Sequence, residues 1–390
     1  MGGDAIRLQN RNARIAITGN HIEQAGAYGV FVGAYQRGYD LYDTFSGDLP
    51  RPPVWHRDLS VREVAVKAWP ESREHLIHNN HIHHVGVYEK HAAGVSFFGV
   101  RAVDVTVSHN LIHHTPRFGI GMMSGLGRII IEYNDLHNLS LETADTGAIT
   151  ANRWYTYDKD PELARGNIIR FNRIYDCVGS GAYGQRQVPG STGKYGDRIW
   201  VPYYSWAIYF DNAPMDVRVY GNICARNTLG GIMISHYCKN VTVENNIFVD
   251  SDESQVYLAL RGQVRNVRFA RNIFYYSHPN ANYVRLNTPS TLDLTSVLAE
   301  FDNNLIYHAG GTTPTFHGGL GEAARRLGVT DPARATFDKW RKLGYDDGST
   351  VADPKFLDVK NDNYALQPDS PALRLGFEPI DMQRIGLLRD

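Results

Sequence analysis

The sequence predicts an all-β fold, a right-handed parallel β-helix: a solenoid with inserted loops and a C-terminal cap containing short helices. Three observations predict it. A strand-plus-asparagine phrase recurs along the chain, a second glycine-led strand lies between its copies, and neither has a hairpin partner.

The recurring phrase is a β-branched strand, an asparagine, and an aliphatic residue in a polar tail. It appears at residues 15–22, 78–82, 105–112, 130–136, 168–174, 217–223, 241–248, 267–273 and 301–306. Its anchors are Asn20, Asn80, Asn110, Asn134, Asn172, Asn222, Asn246, Asn272 and Asn304. The shortest steps between anchors are 24 to 26 residues, close to one solenoid coil. Steps of 38, 50 and 60 residues mark coils with loops inserted. Asparagine suits a bend, where its amide bridges to the next coil while satisfying bent backbone groups. This role is structural.

The glycine-led strands occupy residues 28–32, 94–97, 119–122, 147–150 and 231–234, with equivalents at 206–209 and 255–258. Their alternation sends one side chain into the core and the next outside. Each strand then pairs with its copy one coil away, ~4.8 Å along the axis.

Two insertions break the rhythm. Residues 34–74 carry Tyr35, Tyr39, Tyr42, Trp55, His56 and Trp69, and residues 184–205 carry Tyr195, Trp200, Tyr203 and Tyr204. Long loops on one face of a solenoid build its binding site, and aromatic faces stack on sugar rings. After Asn304 the rhythm fades into helical patterns within residues 319–344, with Gly328 and Gly344 as C-terminal caps. The solenoid is therefore assigned to residues 1–311 and the cap to 312–390. The abrupt entry into a strand at Ala5 leads us to expect a further segment upstream, covering the first coil.

With 390 residues the chain exceeds one compact core, as an elongated array would. Its formal charge of −1 argues against a broad nucleic-acid or anionic-membrane surface. No apolar run approaches the ~20 residues of a membrane span. Cys177, Cys224 and Cys238 are odd in number and not spaced as metal ligands, so they read as small core fillers. His81, His83, His84, His113, His114 and His137 share repeat positions and are expected to stack on one solvated corner. The acidic groups Asp158, Asp160 and Glu162, and Asp250, Asp252 and Glu253, lack the EF-hand pattern and read as solvated turns. No metal and no cofactor are expected.

Asp145 and Asp211 sit on consecutive glycine-led strands, with the second insertion in the coil between them. Two carboxylates in one cleft are what glycoside hydrolysis requires, one as acid and one as nucleophile or base. If Ile149 stacks on Ile208, however, Asp145 starts its strand and Asp211 ends the next, ~20 Å away on straight strands. A bend at Asp145 or an offset is then needed for them to converge. On the straight register Asp211 lies instead near Asn152, Arg153, Ser235 and His236.

Residues 145–149 and 165–172, together with 207–211 and 219–222, resemble secreted bacterial β-helix proteins related to glycoside hydrolases of the fucosidase and xylanase type. The tail at 353–356, 370–373 and 376–377 is similar too. The resemblance implies that Asp145 and Asp211 are the catalytic pair, that the substrate is a carbohydrate, and that the protein is secreted or periplasmic. The family often has Asp-Gly-Gly-Ala-Ile-Tyr where this chain has Thr146 and Thr150, and an acid where it has Asn212. Around the pair, Lys90, His91, Arg153, Trp154, Tyr209 and His236 flank glycine-led strands and are the candidate substrate-binding residues. Two other activities suit the scaffold: a polysaccharide lyase or epimerase, which needs a base and a neutralised uronate, and a non-catalytic carbohydrate-binding solenoid.

Overall fold

The computed structural model describes residues 2–33, 71–152, 166–181, 199–212, 215–261, 264–289, 291–311, 313–322 and 335–388. The protein is nearly all β, built from three long parallel sheets of 11, 10 and 9 strands. Here the 11-stranded sheet is sheet A, the 9-stranded one sheet B and the 10-stranded one sheet C. The chain visits them in cyclic order. Ile6–Gln9 enters sheet A, Ala16–Thr18 sheet B and His21–Glu23 sheet C, and Val30–Gly33 then returns to pair with Ile6–Gln9.

The glycine-led strands form sheet A, and the two halves of the asparagine phrase form sheets B and C. In sheet A one column of side chains points into the core: Val30, Val95, Ile120, Ile149, Ile208, Ile232, Val256 and Val284, in register from strand to strand. All eight are fully buried. Each contributes about 1.5–3 kcal/mol by leaving water, so the repeat is held by one continuous core.

All nine anchor asparagines join in a single ladder. Each side-chain Nδ2 donates to Oδ1 of the next anchor, from Asn20 to Asn80 at 2.8 Å through to Asn272 and Asn304 at 3.2 Å. The residue before each anchor lies in the left-handed region, with φ between +52° and +66°. Gly19 and Gly221 adopt this freely, whereas His109, Tyr133, Phe171 and Arg271 do so against steric cost. The ladder offsets that cost, because each backbone N–H from Asn20 to Asn272 also donates to the next anchor's Oδ1.

The ladder ends on a carboxylate. Asn304 Nδ2 donates to Asp346 Oδ1 at 3.1 Å, and Tyr283, Trp340 and Ser349 also donate to Asp346. Asp346 is fully buried, and burial pushes its carboxyl up to about 6 despite these four donors.

Strand pairing continues past residue 311. Phe316–His317 is the last strand of sheet A and Thr350–Val351 the last of sheet C. One helix, Phe337–Lys342, is capped by the Thr336 side chain, and Gly344 follows at φ +85°. Gly328 lies outside the described residues. The hairpin of Phe356–Asp358 and Asn363–Leu366, with the short helix Pro371–Arg374, covers part of the outer face of sheet C. It packs Phe356, Tyr364, Ala372 and Phe377 on Ile223, Ile247, Ile273 and Leu305. The three cysteines are buried and unbridged. Among the described residues no helix is long and apolar enough to cross a membrane.

Candidate active site

The register of sheet A is the straight one, with Ile149 opposite Ile208 and Thr150 opposite Tyr209. Asp145 nevertheless reaches the outer face. It immediately precedes the strand Thr146–Asn152, in the left-handed region at φ +58°, and Tyr204 holds the matching position at φ +44°. The Asp145 N–H donates to the Tyr204 carbonyl at 2.8 Å. The two adjoining strands thus enter the sheet through matching bends. Tyr209, pointing outward from mid-strand, donates its hydroxyl to Asp145 Oδ1 at 2.7 Å.

Arg117 holds the same corner from the preceding round. Its guanidinium donates to the carbonyls of Ala144 at 2.9 Å and Asp145 at 2.7 Å, and lies 4.7 Å from the Phe118 ring centroid. Burial lowers its pKa, while Asp145, Tyr209, Tyr28 and Asp211 act in the opposite sense. Burial also drives the Tyr209 phenol well above 10, reinforced by Asp211 and then Asp145. Tyr209 thus stays protonated around neutral pH and donates its hydroxyl to Asp145.

Asp211 lies at a bulge, one residue past the inward-facing Phe210. Ala151 pairs with Phe210 but Asn152 pairs with Asn212, so Asp211 is the extra residue on its strand. A bulge re-aims a side chain and recurs beside active sites. Asn152 Nδ2 donates to Asp211 Oδ2 at 2.6 Å, and His236 pairs in register with Asn212. Asn152 and His236 are the neighbours that the straight register predicts. Burial lowers the His236 pKa, Arg261 adds to this, and Ser235 Oγ lies 2.6 Å from its Nδ1.

Tyr209 belongs to a buried aromatic cluster. Trp206 stacks on Tyr209 at 4.7 Å with planes 19° apart, and Tyr204 and Tyr257 meet it edge-on. Glycines in register on both sides make this possible, Gly147 and Gly230 opposite Trp206. A Cβ on Gly147 would come within 2.7 Å of Tyr209 Cβ, and one on Gly230 within 3.1 Å of the Trp206 ring. On this face Arg117 Nε, Asn152 Oδ1 and Trp206 Nε1 are buried with no hydrogen-bond partner among the described residues.

The other candidates disperse. Lys90 donates to the Gly86 carbonyl at 3.0 Å and pairs with Glu142 at 2.9 Å. The His91 carbonyl accepts from Tyr28 at 2.8 Å, and its ring meets Phe118 edge-on at 5.5 Å. Arg153 and Trp154 lie outside the described residues, as do most of the 34–74 and 184–205 insertions and the group at 158–162. In the second acidic group Glu253 pairs with Arg285, and Asp250 accepts from the Ser277 N–H at 2.6 Å. Sequence reasoning missed Arg117 and Trp206. Trp206 stands where neighbouring strands have glycine, a signal visible once the copies are aligned.

No protein-family model matches the chain, and no curated protein sequence matches it. Among solved structures, a similar chain is described as the complex structure of XylC with xylose, at a TM-score of 0.35 and 10% sequence identity. The match covers 73% of this chain and 55% of that one, a little over half its length. A likeness this slight speaks for neither fold nor activity.

Proposed function

We propose that the three sheets wind as a right-handed parallel β-helix and that the chain is a glycoside hydrolase. Residues 1–311 form its body and 312–390 its cap. The substrate is a plant or microbial polysaccharide or oligosaccharide, bound on the outer face of sheet A, with Asp145 and Asp211 as the carboxylate pair. Handedness follows from the near-universal right-handed crossover between parallel strands.

The observation that carries the reading is the fixing of Asp145 on that face by Tyr209 and by Arg117 behind its backbone. Asp211, on the adjoining strand, follows the inward-facing Phe210 at a bulge and accepts from Asn152. The aromatic cluster of Trp206, Tyr209 and Tyr257 is buried, so it supports this face from beneath rather than contacting the sugar. One carboxyl protonates the leaving oxygen, and the other acts on the opposite side of the ring. Tyr209 holds Asp145 in place and His236 lines the Asp211 end. Arg153, Trp154, Lys90 and His91 contribute to substrate binding.

The test is release of reducing ends from a panel of neutral and acidic polysaccharides. We expect turnover that falls by about 10²–10⁴ in Asp145→Asn and in Asp211→Asn, the usual weight of a positioned acid or base, with melting temperatures near wild type. Products absorbing in the ultraviolet would instead assign a lyase. Binding that persists in both variants, without turnover in the parent, would assign a carbohydrate-binding solenoid.

A further inference from the structure

The outer face of sheet C changes character along its length. Where the C-terminal hairpin covers it, the outward column reads Ile223, Ile247, Ile273 and Leu305. Earlier in the chain that column and the outward one two residues on carry imidazoles. His21 pairs in register with His81, and Glu23 with His83, His113 and His137 in turn. His84 and His114 follow at the adjoining bend, at φ +51° and +52°.

The expected stacking is present. His21 lies on His81 at 4.8 Å, His83 on His113 at 4.8 Å and His113 on His137 at 4.9 Å, with planes within 8°. But stacking alone does not explain where the nitrogens point. His21 Nε2 is 2.8 Å from His83 Nε2, and His81 Nε2 is 2.8 Å from His113 Nε2. Ligand nitrogens of His21, His81 and His83 all lie within 4.8 Å of one another. Glu23 Oε2 stands 3.9 Å from His21 Nε2 and 3.7 Å from His83 Nε2.

We propose that His21, His81, His83 and Glu23 form a binding site for a divalent transition cation of the zinc and copper class, with His113 as an adjoining ligand. Imidazole nitrogen suits these ions, and metal–nitrogen bonds of ~2.0–2.1 Å in a tetrahedron place ligand nitrogens ~3.3 Å apart. The observed separations bracket that value, so small side-chain movements complete the shell. Only neutral imidazole binds a metal. The inference owes nothing to the carbohydrate reading of sheet A, on a different sheet.

The experiment is calorimetric titration of ZnCl₂ into the metal-free full chain, with thermal melts and copper EPR in parallel. One ion per chain with micromolar or tighter affinity is expected, with a raised melting temperature and nitrogen hyperfine structure on the copper signal. His21→Ala and His83→Ala each weaken binding by at least about tenfold, since even outer-shell partners of metal ligands cost 10–100-fold. Exposed His278, outside the array, serves as control, and His278→Ala leaves binding unchanged. All three positions face outward, so melts without metal stay close to wild type. Failure to bind zinc in the micromolar range, or equal binding by the His21→Ala/His81→Ala/His83→Ala triple variant, overturns the site.

Discussion

The Tyr209 hydroxyl donates to Asp145 at 2.7 Å although their strand positions are five residues apart in register. On straight strands that offset is ~16 Å. Asp145 and Tyr204 both lie in the left-handed region, so the strand entrance leaves the straight course there. The bond is half-buried, so Tyr209→Phe is expected to cost roughly 1 kcal/mol. A denaturant melt measures it, and an unchanged midpoint would mean that the bond stabilises nothing.

Arg117 acts on Asp145 only through the backbone carbonyls of Ala144 and Asp145. It is a positioning residue. Arg117→Lys loses the two-pronged grip while keeping the charge, and a displacement of ~1 Å at a reacting group costs up to 10²-fold. In a hydrolase assay we expect kcat to fall about tenfold or more, with KM little changed. A fall in thermal stability with kcat intact would assign Arg117 to structure alone.

Asn134 sits mid-ladder and is fully buried. Its Oδ1 accepts from the N–H and side-chain amide of Asn110, and its Nδ2 donates to Asn172 and to the Val107 carbonyl. Asn134→Ala orphans several buried groups at once, at ~1–3 kcal/mol each. A loss of roughly 4 kcal/mol is expected, or failure to accumulate as folded protein. A loss below 1 kcal/mol would show that water replaces the amide.

Asp346 gives a pH signature. Its carboxyl is raised in the folded chain, so its stabilising contribution is fully present below pH ~4 and is lost as pH rises through about 6. The span from 3.8 to about 6 corresponds to about 3 kcal/mol. Asp346→Asn removes the titration. Wild type should therefore gain stability relative to the variant as pH falls from 7 to 4. A constant difference would place the ordinary carboxylate value at this site.

All nine anchor asparagines were legible because one residue type recurs where each round bends between sheets B and C. The register of sheet A was legible because its inward aliphatics alternate cleanly around Ile149 and Ile208. That register also predicted Asn152 and His236 as neighbours of Asp211. The bend at Asp145 was not legible: a left-handed aspartate carries no mark distinguishing it from one in an extended turn. Nor was Arg117, whose partners are backbone groups 27 and 28 residues away. The histidine stacking followed from shared repeat positions. The convergence of nitrogens did not, because His21 is 60 residues from His81 and Glu23 joins from the same early strand.

The asparagine ladder is also a polarised wire. Every side-chain amide points its N–H toward the later rounds and its oxygen toward the earlier ones. Their dipoles add head to tail, as peptide dipoles do along a helix. The positive pole therefore emerges at Asn304, where the next group is an aspartate. Ionised, Asp346 neutralises that pole, and having no hydrogen to pass on it ends the relay. A single carboxylate in place of a tenth amide thus makes one end of the column electrically and chemically closed, and fixes the direction in which such a stack can be read.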